Sequence, residues 1–514
     1  MLRQPTMLHR YLLLLATVLT LHPALPGQRW TAAAIETASQ QQLALALAEL
    51  REFVALPNDG KIAEQRAANG AWFVNALERR QLRAQTLVVN SIPFVFAEQV
   101  YHPGAPTVLF YCQLDGQPAD PQAWDQADPF QVTLKAPGPD GSWTTLDWSH
   151  LATGYAPEWR LFGRSTSDSK GPALALLHAL DVLLAAGETP RFNVRIIGDL
   201  QEEISSPELP SLVAEYPDLL AAAYLVVMDG TRHVSNLPTL TFGARGIATA
   251  NLRVFGPAQP MHSGQYGNFV PNPVFRLSKL IAGMKDDDGR VLIPGWYDGI
   301  TLSEADKALL NAVPENADSI ARAVGIARPE RVGETYQESL QYPTLNVRGL
   351  RAAYVGNAAR TIIPDEAIAM FDIRLVPESD GARLLGLLEA YIREQGYHLL
   401  TDEPTLADRH QYDKLAQFNG KVSYAAYRTE LASPIGNWLR AASVRTFGAE
   451  PVLMRTTGGS QPIAPFIQAL GLPAVSVRIP NPDNNIHAPN ENLRLGNFLE
   501  GIRTCLGILT EPVN

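Results

Sequence analysis

The feature that most constrains this chain is a series of short apolar runs that stop on polar residues. "TVLFYCQLD" ends with Gln113 and Asp115, "VRIIGDLQEE" with Glu202 and Glu203, and "YLVVMDG" with Asp229. "AVSVRIPNPDNNIHAPNEN" runs on past its apolar part to His487, and "LFGRSTSDSKG" places Asp168 in a Gly- and Ser-rich loop just ahead of a helical pattern. Runs of this length, bounded by turn residues, read as buried strands. Helical patterns alternate with them in "ASQQQLALALAELREFVALP", "AEQRAANGAWFVNALERRQL", "KGPALALLHALDVLLAAG" and "PELPSLVAEYPDLL". The alternation predicts an α/β fold with a mostly parallel sheet.

A chain of 514 residues is too long for one ordinary core. After "TLTFGARG" the pattern changes to two-period strands with one-sided helices: "IATANLRVFGP", "VFRLSKLIAGM", "EAIAMFDIRLVP" and "DGARLLGLLEAYIREQG". This predicts a smaller α+β domain over residues 243–410, inserted between a first part of the α/β domain at 35–242 and a second part at 411–514. "DPFQVTLKAPGPDGSWTTLDWSHL" reads as a surface hairpin excursion.

The first residues read as an export signal over 1–27. A basic start, "MLRQPTMLHR", precedes the apolar core Tyr11–Leu21, and "HPALPGQ" breaks it. An 11-residue core is too short for a membrane span of about 20 residues. A periplasmic or secreted protein is therefore expected, with no membrane attachment once the signal is removed. The net charge of −10 argues against nucleic acid as a partner. Cys112 and Cys505 fall in a strand and a helix pattern, so two buried thiols are expected rather than a bridge.

In open parallel sheets the ligand crevice lies at the carboxyl ends of the strands. Five segments therefore deliver Asp115, Asp168, Glu202, Glu203, Asp229, His487 and the amide of Gln113 to one edge. Like charges gathered so closely repel, and a divalent cation is the simplest way to hold them together. Mixed Asp, Glu and His ligands fit zinc, with manganese or cobalt as lesser options. Taken singly, each residue has a blander reading: Asp168 as a helix cap, the Glu202–Glu203 pair as a solvated corner, His487 as a loop residue. His178, inside a helix pattern, reads as structural.

The motifs resemble those of the carnosinase-like branch of the cocatalytic dizinc exopeptidases. Relatives of that branch include aminoacylase, carboxypeptidase G and succinyl-diaminopimelate desuccinylase. "FYCQLDGQPADPQAWDQADPF", "GRSTSDSKGP", "GDLQEEISSPEL", "MHSGQYGNFVPNP", "ARTIIP", "DIRLVP", "TTGGSQPI" and "HAPNEN" follow one another in the family's order. The resemblance implies that Asp168 bridges two metals, that Glu203 and His487 complete one site, and that Asp229 and the residue at 113 complete the other. It implies Glu202 as the general base and Asp115 as the group orienting residue 113. In the inserted domain, a lid and dimerisation domain in this family, His262 would reach a neighbouring subunit's site and polarise the scissile carbonyl. Thr361 and Arg374 would hold the substrate's terminal carboxylate, with Ser460 adding a hydrogen bond. A structural ion pair is the alternative for Arg374.

Position 113 is histidine in the family pattern and glutamine here, and an amide oxygen is a poorer zinc ligand than imidazole. Ser169 replaces a second Asp or Asn, while Ser165 and the Ser after Ile204 stand where Gly is usual. The expectation is an exported homodimeric metallo-exopeptidase, with one or two zinc ions per chain, acting on a dipeptide or similar amide with a free carboxylate. A non-catalytic binder of peptides or amino-acid conjugates and an N-acyl-amino-acid amidase are the rival readings.

Overall fold

The computed structural model describes residues 30–513, and the expected leader lies outside the described residues. Helices α1 (Ala32–Val54) and α2 (Ala63–Glu78) lead into strands β1 (Arg83–Val89), β2 (Ile92–Gln99) and β3 (Thr107–Gln113). Helix α3 (Lys170–Ala185) and strands β4 (Asn193–Asp199), β5 (Tyr224–Val227) and β6 (Thr239–Thr241) follow. The inserted domain contributes β7 (Gly246–Phe255), α4 (Pro273–Ala282), β8 (Asn346–Arg351), β9 (Glu366–Leu375), α5 (Gly381–Glu394), β10 (His398–Leu399) and β11 (Leu415–Tyr424). The chain then returns with α6 (Pro434–Phe447), β12 (Val452–Met454), β13 (Ala474–Arg478) and α7 (Leu495–Thr510).

The main sheet has eight strands in the order β1-β2-β4-β3-β5-β13-β6-β12. Its centre is parallel, through β4–β3, β3–β5 and β5–β13. Antiparallel pairs lie outside that centre, at β1–β2, β2–β4 and β13–β6. The unbroken apolar run of β3 follows from cover on both faces. Val108, Phe110 and Cys112 point into one core with residues of α1, α3 and α7. Leu109 and Tyr111 point into the other, with Leu209, Leu212 and Phe466. Helix α3 packs on both α1 and α7 and is buried nearly all round, which explains its uniformly apolar sequence. Both cysteines are buried and unbridged.

The inserted domain holds a five-stranded sheet in the order β8-β9-β7-β11-β10. Along β9, Ala367, Ala369, Phe371, Ile373 and Leu375 are buried in alternation, forming the face that packs with α4 and α5. Strand β11 pairs with β7 as far as Tyr424, so this domain runs past the boundary expected at 410. The strand escaped notice because most of "FNGKVSY" is exposed and carries no alternating apolar signal.

The expected hairpin excursion is part of a separate four-stranded sheet. Thr133–Pro137 and Trp143–Thr145 join Arg160–Phe162 and Asn492–Arg494. The last two strands flank the loops that carry Asp168 and His487, so this small sheet ties two distant segments together beside the main one. Among the described residues, no helix is long and apolar enough to cross a membrane.

Candidate metal centre

The loop between Phe162 and α3 is shaped around one carboxylate, Glu491, which is fully buried. Glu491 Oε1 accepts from the backbone N–H groups of Ser167 and Asp168, both at 3.0 Å, and from Ser167 Oγ at 2.8 Å. Its Oε2 accepts from Ser165 N at 2.9 Å and from Arg164 Nη1 at 2.7 Å. A carboxylate that gathers so many donors fixes the backbone they belong to. Asp168 is thereby presented at the carboxyl edge of the sheet. Nothing local in "HAPNEN" marks Glu491 for this role, because its partners lie more than 300 positions away.

Beyond β4, a second buried carboxylate sets the turn that carries Glu202 and Glu203. Asp115 Oδ1 accepts from Glu202 N at 2.9 Å and Oδ2 from Glu203 N at 3.1 Å. Asp115 therefore positions the Glu202–Glu203 turn, whereas the expectation had it orienting residue 113. Asp199, closing β4, supports the same turn by accepting from Gln201 N at 2.9 Å and from Tyr111 Oη at 2.8 Å.

These two frames meet the long loop after β13. His487 Nε2 lies 3.0 Å from Asp168 Oδ2 and 3.2 Å from Glu203 Oε2. Asp168, Glu203 and His487 each offer a ligand atom within 4.8 Å of the others. Gln117 donates to Glu203 Oε2 at 2.7 Å, while Glu203 Oε1 is buried without a hydrogen-bond partner. Hydrogen bonds donated to the Asp168 and Glu203 carboxylates raise the His487 imidazole to about 10, against the opposing effect of burial. Burial, with the Asp229, Glu203, Asp168 and Asp115 charges added, pushes Glu202 well above the usual carboxylate range. A divalent cation fits these residues: two carboxylates and an imidazole converge, Glu203 Oε1 is buried without a hydrogen-bond partner, and among the described residues no Lys or Arg is paired with Asp168 or Glu203.

The cavity beside them is about 440 Å³ and is lined by Gln113, Asp168, Glu202, Asp229, Arg374, Ser460 and His487, among others. A cavity of similar volume in the 317–339 segment brings no carboxylates around a histidine, and chemistry places the site in the former. Arg374 Nη1 donates to Ser460 Oγ at 2.8 Å, across from β9 to the 457–461 loop. No carboxylate partner of Arg374 occurs among the described residues, which removes the ion-pair alternative. Tyr424, at the end of β11, and Arg478, at the end of β13, also line the cavity, and neither was singled out from sequence. Tyr424 falls in a stretch with no motif spacing, and Arg478 is a lone basic residue within the apolar run that precedes His487.

Two expected residues lie elsewhere. Thr361 is exposed and is not among the residues lining the cavity, so the structure does not group it with Arg374 and Ser460 within one chain. It stands beside His262: Ser263 N donates to Thr361 O at 3.0 Å, and Met261–His262 pairs with Ile362–Ile363. His262 is exposed too, and its Nδ1 accepts from Gly264 N at 3.1 Å.

A parallel-centred sheet that gathers carboxylates and a histidine at one edge, interrupted by an α+β domain, is an arrangement suited to metal-assisted hydrolysis. Residues 242–399 match the family model of the peptidase dimerisation domain. The chain is 28% identical to the Cys-Gly metallodipeptidase dug1 of Schizosaccharomyces pombe, over 80% of this chain and 81% of that protein. It is 27% identical to the Beta-Ala-His dipeptidase of Mus musculus, over 90% of this chain and 92% of that protein. Among solved structures it resembles the M20 family metallo-carboxypeptidase Sso-CP2 from Sulfolobus solfataricus, with a TM-score of 0.74 and 26% identity over 91% of this chain and 99% of that one. Human carnosine dipeptidase 1, at 22% identity, shares the fold with a TM-score of 0.71 over 94% of this chain and 98% of that one. The chain carries the M20 peptidase dimerisation domain and is similar over most of its length to named dipeptidases and an M20 metallo-carboxypeptidase, which supports a peptidase-like hydrolase.

Proposed function

We propose that this protein is a metal-dependent dipeptidase that hydrolyses the amide bond of a dipeptide or similar substrate beside a free carboxylate. The observation that carries the reading is the convergence of Asp168, Glu203 and His487 on one point in a cavity that also holds Glu202 and Arg374. The dipeptidases among its relatives act on small peptides, which suits a cavity of this size.

Asp168, Glu203 and His487 would hold the cation, zinc on the donor set, which when bound supplies a Lewis acid and makes water acidic enough to be a nucleophile near neutral pH. Glu202 takes the proton from the attacking water and returns it to the leaving amine. Arg374, braced by Ser460, offers its free guanidinium N–H groups to the substrate carboxylate. Asp115 serves as a positioning residue through the backbone of Glu202 and Glu203.

His262 and Thr361 act on this reading in a second copy's cavity. Their exposure supports it, as do the nearby exposed Phe269 and Val355, at 83% and 86%. The protein is thus read as a homodimer, and as an exported one on the basic and apolar start of its sequence. A non-catalytic peptide binder is the second reading, favoured by Gln113 at a position lining the cavity.

The deciding experiment pairs metal analysis of the purified protein with a dipeptide hydrolysis screen. Glu202→Ala is expected to lower turnover by at least ~100-fold with metal content retained. Undiminished turnover in that variant would reject Glu202 as the base, and absence of hydrolysis in metal-loaded wild type would favour the binder.

A further inference from the structure

A cocatalytic pair would need a second set of ligands, and the groups available for it are Asp168, Asp229 and Gln113. They fit a second cation poorly, because Gln113 is a neutral amide and both oxygens of Asp229 already accept from protein donors. Its Oδ1 accepts from Ser169 Oγ at 2.8 Å and its Oδ2 from Gln461 Nε2 at 2.7 Å. The Gln461 amide is oriented with its NH2 toward Asp229. Its Oε1 already accepts from Tyr427 Oη at 2.8 Å and from Ser476 Oγ at 3.1 Å. Ser169 precedes α3 at the capping position yet makes no capping bond; its hydroxyl lies 2.8 Å from Asp229 Oδ1 and 3.2 Å from Asp168 Oδ1.

Positive charge is built in at the same place. Arg478, 6% exposed, donates from Nη1 to the Asp229 carbonyl at 2.8 Å and from Nε to Thr241 Oγ1 at 3.1 Å. Its Nη2 is buried without a hydrogen-bond partner, and the residue lines the cavity next to Asp229. Room for the guanidinium exists because residue 230 is glycine: a Cβ there would lie 1.4 Å from Arg478 Nη1. The remaining candidate ligand, Gln113, offers an amide, and its Nε2 is buried and unpartnered.

We propose that in this chain a hydrogen-bond network around Asp229, with Arg478 carrying the positive charge, replaces the second cation, so that one metal ion binds per chain. The proposal rests on the metal-dependent reading above. Ser169, Gln461 and Arg478 are positioning residues for Asp229, and Asp229 is held by protein donors and not by a metal.

The test is the metal content per chain of the full-length protein, saturated with zinc, desalted and measured by elemental analysis and native mass spectrometry. The expected result is one zinc per chain, lost in His487→Ala and kept in Gln461→Leu and Gln113→Ala, with folding checked by thermal unfolding. Two zinc ions in the wild type, falling to one in Gln113→Ala, would overturn the proposal and leave the metallopeptidase reading standing. No zinc at all would overturn both. Gln113→His sharpens the test: the count is expected to stay at one, because Ser169, Gln461 and Arg478 still hold Asp229. A rise to two on that single change would overturn the network and make residue 113 alone responsible.

Discussion

Two clusters in this molecule have the same composition and opposite surroundings. Glu49, His178 and Asp181 present ligand atoms within 4.8 Å of one another, as do Asp168, Glu203 and His487. In the first cluster Arg80, 4% exposed at its side chain, lies 2.6 Å from Glu49 and 2.7 Å from Asp181, and His178 Nε2 lies 2.9 Å from Glu49. Burial would raise the Glu49 carboxyl, but its bonds to His178 and Arg80 outweigh burial and hold it well below the usual range. In the second cluster no Lys or Arg reaches Asp168 or Glu203 within ion-pair distance among the described residues. The comparison teaches that spacing of ligand atoms does not make a metal site; a buried acidic group already supplied with a protein cation is structural. Asp229 stands between the two: its carboxylate accepts from Ser169 and Gln461, and Arg478 meets its backbone carbonyl and not the carboxylate.

The largest expected effect tests the division directly. His487→Ala should abolish hydrolysis and weaken zinc binding by more than ~100-fold, since even residues outside the ligand set cost 10–100-fold. His178→Gln, the matching change in the other cluster, should leave zinc content and turnover at wild-type levels. Dialysis against graded zinc concentrations with a dipeptide assay reads both, and loss of zinc in His178→Gln would erase the distinction.

Arg80→Met removes the built-in cation and should destabilise the protein by about 3–5 kcal/mol, the usual result of breaking a buried ion pair from one side. If Arg80 is what keeps metal out, added zinc should then raise the unfolding temperature of this variant more than that of wild type. Equal shifts in the two proteins would show that Arg80 does not exclude metal from the Glu49 cluster.

The sequence made the metal-centre half of this comparison readable and left the other half dark. Gln113, Asp168, Glu202, Asp229 and His487 announced themselves because each follows an apolar strand or opens a buried helix, and strand ends in a parallel sheet share one edge. The inserted domain was legible from the alternation along β9, and β11 was missed because most of its face is open to solvent. Arg80, Arg478, Gln461 and Glu491 were missed for a different reason. The carboxylate or carboxylate-holding partners that give them their roles lie 31 or more positions away, and a lone Arg, Gln or Glu looks the same whether it meets solvent or a buried partner. The two serines that stand where glycine is usual gave a signal that only backbone angles explain. Ser165 and Ser205 have φ of 64° and 73°, the left-handed region that glycine enters without strain.

The smallest effect sharpens the electrostatic side of the comparison. Glu49 has a depressed folded-state pKa, so its contribution to stability is fully present above the unfolded carboxylate value of about 4.3 and is lost as pH falls toward the folded value. Glu49→Gln keeps the shape and removes the charge. At pH 7 it should cost about 1.5–3 kcal/mol, the worth of hydrogen bonds to a charged group, with Asp181 still holding Arg80. The difference between wild type and Glu49→Gln should be flat from pH 7 down to about 5 and should shrink steadily below pH 4. Urea unfolding followed across that range measures it. A difference that stays constant to pH 3 would mean that Glu49 acts there by packing, and that Arg80 is neutralised by Asp181 alone.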